Sequence, residues 1–124
     1  MKLFEYALLR VVPRVEREEF VNAGVVLHCR EANFLDARIH LDRDRLLALA
    51  PTADYEAILA HLNTVSLVCA GGPEAGVIGS LPAGQRFGWL VAPRSTVVQA
   101  SPIHTGYAKD PDEALDRLLK NMVQ

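Results

Sequence analysis

The chain has 124 residues, half of them hydrophobic and 23% charged, with a formal net charge of −2. That length suits one domain of ordinary size, and the slight acidity argues against a general polyanion binder while leaving room for a local basic patch. No apolar run reaches the roughly 20 residues that span a bilayer, and Met1-Lys2-Leu3-Phe4-Glu5-Tyr6 has an acid where a signal peptide is apolar, so a cytoplasmic protein with no membrane role is expected.

Residues 3–12 read as a central strand, because both faces are apolar: Phe4, Tyr6, Leu8 and Val12 on one, Ala7, Leu9 and Val11 on the other. Pro13 ends it and a charged connection follows. Residues 20–29 form the next strand, with Val21, Ala23, Val25, Leu27 and Cys29 assigned to one face. Gly24 in its middle marks a bulge or a close approach by another backbone. Residues 35–41 alternate cleanly, Leu35, Ala37, Ile39 and Leu41 against Asp36, Arg38 and His40. Matching the two apolar sets pairs Leu27 with Ala37 and Val25 with Ile39, leaves 30–34 as a five-residue hairpin loop, and sets His28 opposite Asp36.

Helices follow. Residues 43–49 are capped by Asp42 and stopped by Pro51. Residues 55–68 carry a stripe of Tyr55, Ile58, Leu59, Leu62, Val65 and Cys69. A Gly- and Pro-rich connection occupies 71–84. Residues 82–91 fit a helix opened by Pro82 or, on the alternation of Phe87, Trp89 and Val91, a strand; the helix is preferred, with Trp89 in the core. Residues 96–99 read as a short strand and His104-Thr105-Gly106 as a turn. The last helix has Asp110 as cap, Pro111 at its first position and Glu113 completing a capping-box-like pair. Its buried face is Leu115, Leu118, Leu119 and Met122; Glu113–Arg117 and Asp116–Lys120 have the spacing of favourable pairs. The expected fold is a single α+β domain, a mostly antiparallel sheet with helices packed on one face.

Residues 86–106 combine the only tryptophan with arginines, hydroxyls, a histidine and two prolines, a mixture packing seldom requires. The candidate anion- or partner-binding residues are Arg10, Arg14, Arg17, Asn22, Arg86, Trp89, Arg94, Ser95, Thr96, His104 and Thr105. Guanidinium forks match carboxylate or phosphate, and Arg94-Ser95-Thr96 adds hydroxyl donors. A structural reading stands beside this one: Arg94 pairs with Glu18 or Glu19, and Ser95 and Thr96 satisfy turn backbone. The segment contains no phosphate-binding loop, nucleophile elbow or paired-histidine phosphoesterase spacing. Cys29 and Cys69 read as small buried hydrophobes, so no metal site, cofactor or disulfide is expected.

Two long patterns resemble a bacterial domain-of-unknown-function family, number 3037. One is Tyr6 with Leu9-Arg10-Val11-Val12-Pro13, followed by Glu19-Phe20-Val21-Asn22-Ala23-Gly24-Val25-Val26-Leu27. The other is Arg86-Phe87, Trp89-Leu90, Ala92-Pro93-Arg94-Ser95-Thr96, Ser101-Pro102 and His104-Thr105-Gly106. The resemblance implies no assigned reaction, and it implies a HipA-like kinase-fold protein as partner. The functional expectation is a small accessory or binding protein that engages a protein partner or an anionic ligand. The alternatives are an enzyme of phosphoryl or nucleotide chemistry, with His104 as acid or base and Arg94 stabilising charge, and a nucleic-acid binder.

Overall fold

In the computed structural model, which describes residues 1–124, five strands and four helices follow one another along the chain. They are β1 (Lys2–Val11), β2 (Val21–Cys29), β3 (Phe34–Ile39), α1 (Arg43–Leu49), α2 (Tyr55–Ala70), α3 (Ala83–Val91), β4 (Val98–Ala100), β5 (His104–Ala108) and α4 (Pro111–Met122). Short 3-10 turns occupy Val15–Arg17 and Pro73–Ser80. All strand pairings are antiparallel. The order is β3-β2-β1-β4, and β5 also pairs with β1. The expected antiparallel α+β domain is therefore present, with β1 at its centre.

Both faces of β1 are apolar because both are covered. Ala7, Leu9 and Val11 join Val26, Ala37, Leu46, Leu62, Val65, Phe87 and Leu90 in the larger core, under α1, α2 and α3. Phe4 joins Val25, Leu27, Cys29, Ala114, Leu115 and Leu118 in a second core, under α4. Three helices thus share one face, and the expectation that the helices pack on one face alone is corrected by α4, which closes the other because Phe4, Val25 and Leu27 need cover there.

The β2–β3 register differs by one residue from the expected pairing. Val26 pairs with Ala37, Leu27 with Asp36 and Cys29 with Phe34, and His28 faces Leu35 rather than Asp36. Because β2 is apolar on both faces, its pattern fixes no register, and the turn decides. That turn spans four residues, 30–33, closed by Asn33 N–H donating to the Arg30 carbonyl at 3.0 Å, with Asn33 left-handed at φ 50°. A bulge lies where Leu9 pairs with Gly24 but Arg10 with Asn22, leaving Ala23 as the extra residue. The five odd-numbered residues of β2 therefore do not share one face: Val21 and Ala23 join the larger core, Val25, Leu27 and Cys29 the second.

Helix starts follow local chemistry. Asp42, Asp54 and Asp110 accept from the backbone N–H of Arg45, Ala57 and Asp112. Glu113 makes no return bond to Asp110, so the capping box is only half formed. Met122 is 45% exposed; the chain leaves the helix there and Val123 turns inward instead. Neither pair expected within α4 forms; Asp116 instead binds Arg38 of β3 at 2.9 Å, beside Asp112 at 2.5 Å.

Residues 104–106 are not a turn but the start of β5, paired with Phe4 to Tyr6. Gly106 allows this, because a Cβ there would sit 2.6 Å from the Phe4 ring. Between β4 and β5 the edge is interrupted at Pro102, which has no N–H. Buried Ser101 bridges the gap: its N–H donates to the Leu8 carbonyl, and its hydroxyl accepts from the Leu8 N–H, both at 2.8 Å.

Candidate functional site

Arg10 follows Phe4, Tyr6 and Leu8 on the α4 face of β1, between Asn22 on β2 and Gln99 on β4. Its guanidinium lies 4.2 Å from the ring centroid of Phe20, an exposed aromatic at the end of the charged connection. It forms no ion pair, and its Nε is buried without a hydrogen-bond partner. Asn22 Oδ1, across the strand pair, is buried and unpartnered as well. A buried guanidinium N–H left unpaired is costly, so a native protein retains one only for a reason.

Arg94 reaches the same place from the loop after α3. Its Nη1 and Nη2 donate to the carbonyls of Leu90 and Trp89 at 3.1 and 2.5 Å, closing the end of the helix. The cation lies 4.6 Å above the Trp89 ring. Two of its five N–H donors are occupied this way and three remain. Neither Glu18 nor Glu19 pairs with it.

Between these arginines lies a cleft of about 320 Å³. Ser95 and Gln99 complete its polar wall, Val12, Val15 and Phe20 its apolar wall, and Glu18 is the one acid. Glu18 adopts the left-handed conformation, φ 58°, where the connection turns back into β2. With two cations against one carboxylate, the cleft has a positive balance.

The other candidates lie elsewhere. Arg14 pairs with Glu16 at 3.0 Å and Arg17 pairs with Glu19. The Arg17 bond and charge hold the Glu19 carboxyl below its ordinary range and raise the Arg17 guanidinium in return. Arg86 donates to the carbonyls of Val68, Cys69 and Leu81 at 2.8, 2.6 and 2.9 Å, closing α2. Asn22 Nδ2 holds the Met122 carbonyl, and Thr96 Oγ1 the Val98 carbonyl. His104 packs at a tilt against Tyr6, 5.4 Å between centroids, and exposed Thr105 faces Glu5. Neither residue lines the cleft, so His104 and Arg94 do not form one constellation.

Trp89 is 44% exposed and not in the core. Phe87 and Leu90 supply the buried face of α3, leaving the indole on the outer side, where Arg94 covers it. Phe20 and Gln99 were not singled out by the sequence, and Glu18 entered only as an ion-pair partner for Arg94. The available signal was an aromatic at the end of an arginine-rich connection, where no core position called for one.

Fold and cleft together define a small antiparallel α+β domain with a guanidinium-lined depression at one end of its sheet. The chain belongs to a family described as a protein of unknown function, DUF3037, whose model matches residues 6–123. No curated protein and no solved structure matches the chain. No helix is long and apolar enough to cross a membrane.

Proposed function

We propose that this protein is a binding protein that recognises an anionic group in the cleft between Arg10 and Arg94. One observation carries the reading: Arg10 brings a full set of N–H donors to a cleft with no carboxylate bonded to it, and its Nε is buried and unsatisfied. An oxyanion accepts from such a fork in two places at once. Arg94 contributes three free donors and Ser95 a hydroxyl, while Phe20 and Trp89 hold the two cations in place by stacking. The test is calorimetric titration with inorganic phosphate and with acetate. Wild-type protein binds, and Arg10→Gln and Arg94→Gln each weaken binding about tenfold, the scale of one lost charge-assisted bond. Equal affinity in wild type and both variants overturns the reading.

A second reading takes the anion from an acidic side chain of a protein partner, such as the HipA-like kinase-fold protein that the family resemblance implies. Exposed Trp89 and Phe20 favour it, since aromatics beside arginine are the residue types that anchor interfaces. Trp89→Ala then abolishes binding of the purified partner, while phosphate, which also loses the stacking support of Arg94, is weakened only a few-fold.

A further inference from the structure

A cavity of about 610 Å³ lies beside the cleft on the α2 side of the sheet. The connection from α1 to α2 runs Ala50-Pro51-Thr52-Ala53, and α2 presents Ala57 and Ile58. The small side chains of Ala50, Thr52, Ala53 and Ala57 leave space where larger ones would have packed onto Val97 and Val98. Its charged rim residues are already engaged: Asp54 caps α2, and Arg14 pairs with Glu16. The cavity therefore offers mainly apolar surface and no free ion pair to a ligand.

A narrow space of about 90 Å³ separates this cavity from the arginines. His61 and Val98 wall both the cavity and the neck; Arg94 and Gln99 wall both the neck and the cleft. Leu9, Val65 and Leu90 line the neck, and Trp89 flanks it. The three spaces thus adjoin in series: the cleft of the two guanidiniums, a narrow space that also has Thr64, His61 and Gln99 in its wall, and the mainly apolar cavity. Ligand sites commonly have this composition, with a few fixed polar groups and a mostly apolar body. The neck is much smaller than the spaces on either side, which suits an unbranched chain and obstructs a ring.

We infer that the anion held at Arg10 and Arg94 carries an unbranched alkyl chain, which runs past Trp89 and His61 into the cavity beside Ala57. The ligand class is a linear alkyl carboxylate or its phosphate counterpart. This rests on the anion-binding reading above and adds the tail. The experiment is calorimetry with butyrate, hexanoate, octanoate and decanoate, each kept below its micelle concentration. Affinity rises roughly two- to fourfold per added methylene, as burial of alkyl surface requires. Ala57→Phe fills the cavity from an exposed helical position and flattens the series, leaving butyrate unchanged; Ala57→Leu serves if the larger ring prevents folding. Arg94→Gln weakens all four ligands by the same factor. In the wild type, decanoate and not butyrate shifts the amide resonances of Ala57, Ile58 and His61. A flat series in which Arg94→Gln still weakens butyrate overturns the alkyl inference and leaves the anion site standing. A rising series that neither Ala57 substitution alters overturns the inference as well. No binding of any acid overturns both.

Discussion

Gly24 shows what a single missing side chain does for this sheet. A Cβ there would lie 2.7 Å from the Arg38 carbonyl oxygen and 3.2 Å from Leu9 Cδ1, so β3 and β1 close over it from both sides. The carbonyl belongs to backbone and cannot swing away. Gly24→Ala is expected to cost about 1–3 kcal/mol, the usual range for overpacking, read from the urea midpoint. A glycine amid strong strand formers marked this position in the sequence, with a bulge and a close approach as alternatives; both occur, one residue apart. The cysteines were legible for a similar reason. Both are buried and free, and burial pushes the Cys69 thiol up to about 12, so it behaves as an apolar group. Trp89 was not legible. Its size suggested core, and only the position of Arg94 explains how an indole is kept half in water.

Among the elements, α4 is tied to β3 by one side chain. Arg38 binds Asp36, Asp112 and Asp116 at 2.7, 2.5 and 2.9 Å. Burial opposes its charge, but the three carboxylates outweigh that and raise its pKa above the ordinary arginine value. Because the aspartates of α4 remain mostly exposed, solvent weakens each pair. Arg38→Ala is expected to destabilise by about 1–2 kcal/mol in chemical denaturation, and Arg38→Lys to recover only part, since an ammonium cannot reproduce the planar fork. The caps Asp42 and Asp110 were readable because each lies within three residues of the N–H it satisfies. Arg38 read as a polar-face residue, and its two partners on α4 lie more than 70 positions away, beyond any local spacing rule. The same distinction explains the β2–β3 register: hydrophobic alternation located the strands, and the turn at Asn33 aligned them.

For the molecule as a whole, pH enters through His28, which stacks on Phe87 at 5.5 Å beneath α3. Burial lowers its pKa from the ordinary 6.5; Glu5 opposes this, and Arg30 and Arg86 reinforce it. The unfolded chain therefore takes up a proton first as pH falls. Stability is full above pH 6.5 and declines as pH drops from there through the folded-state value. The thermal midpoint of the wild type is expected to fall over that interval more than that of His28→Gln; parallel curves would remove His28 as the cause. At this scale the sequence disclosed an antiparallel sheet centred on its first strand and a helical layer, whereas the end at which arginines gather depends on which side each strand meets β1. Arg10 and Arg94, 84 positions apart, meet there; Arg86 and His104, closer to Arg94 along the chain, do not. The outer boundary of the sheet carries one more consequence. A foreign strand approaching that side meets three residues of β4, a proline-containing gap and five residues of β5. The opposite side offers six residues, with Asp36 and Arg38 among them. Neither presents the long uninterrupted template on which polymers grow, so the domain resists runaway self-assembly even with both margins uncovered.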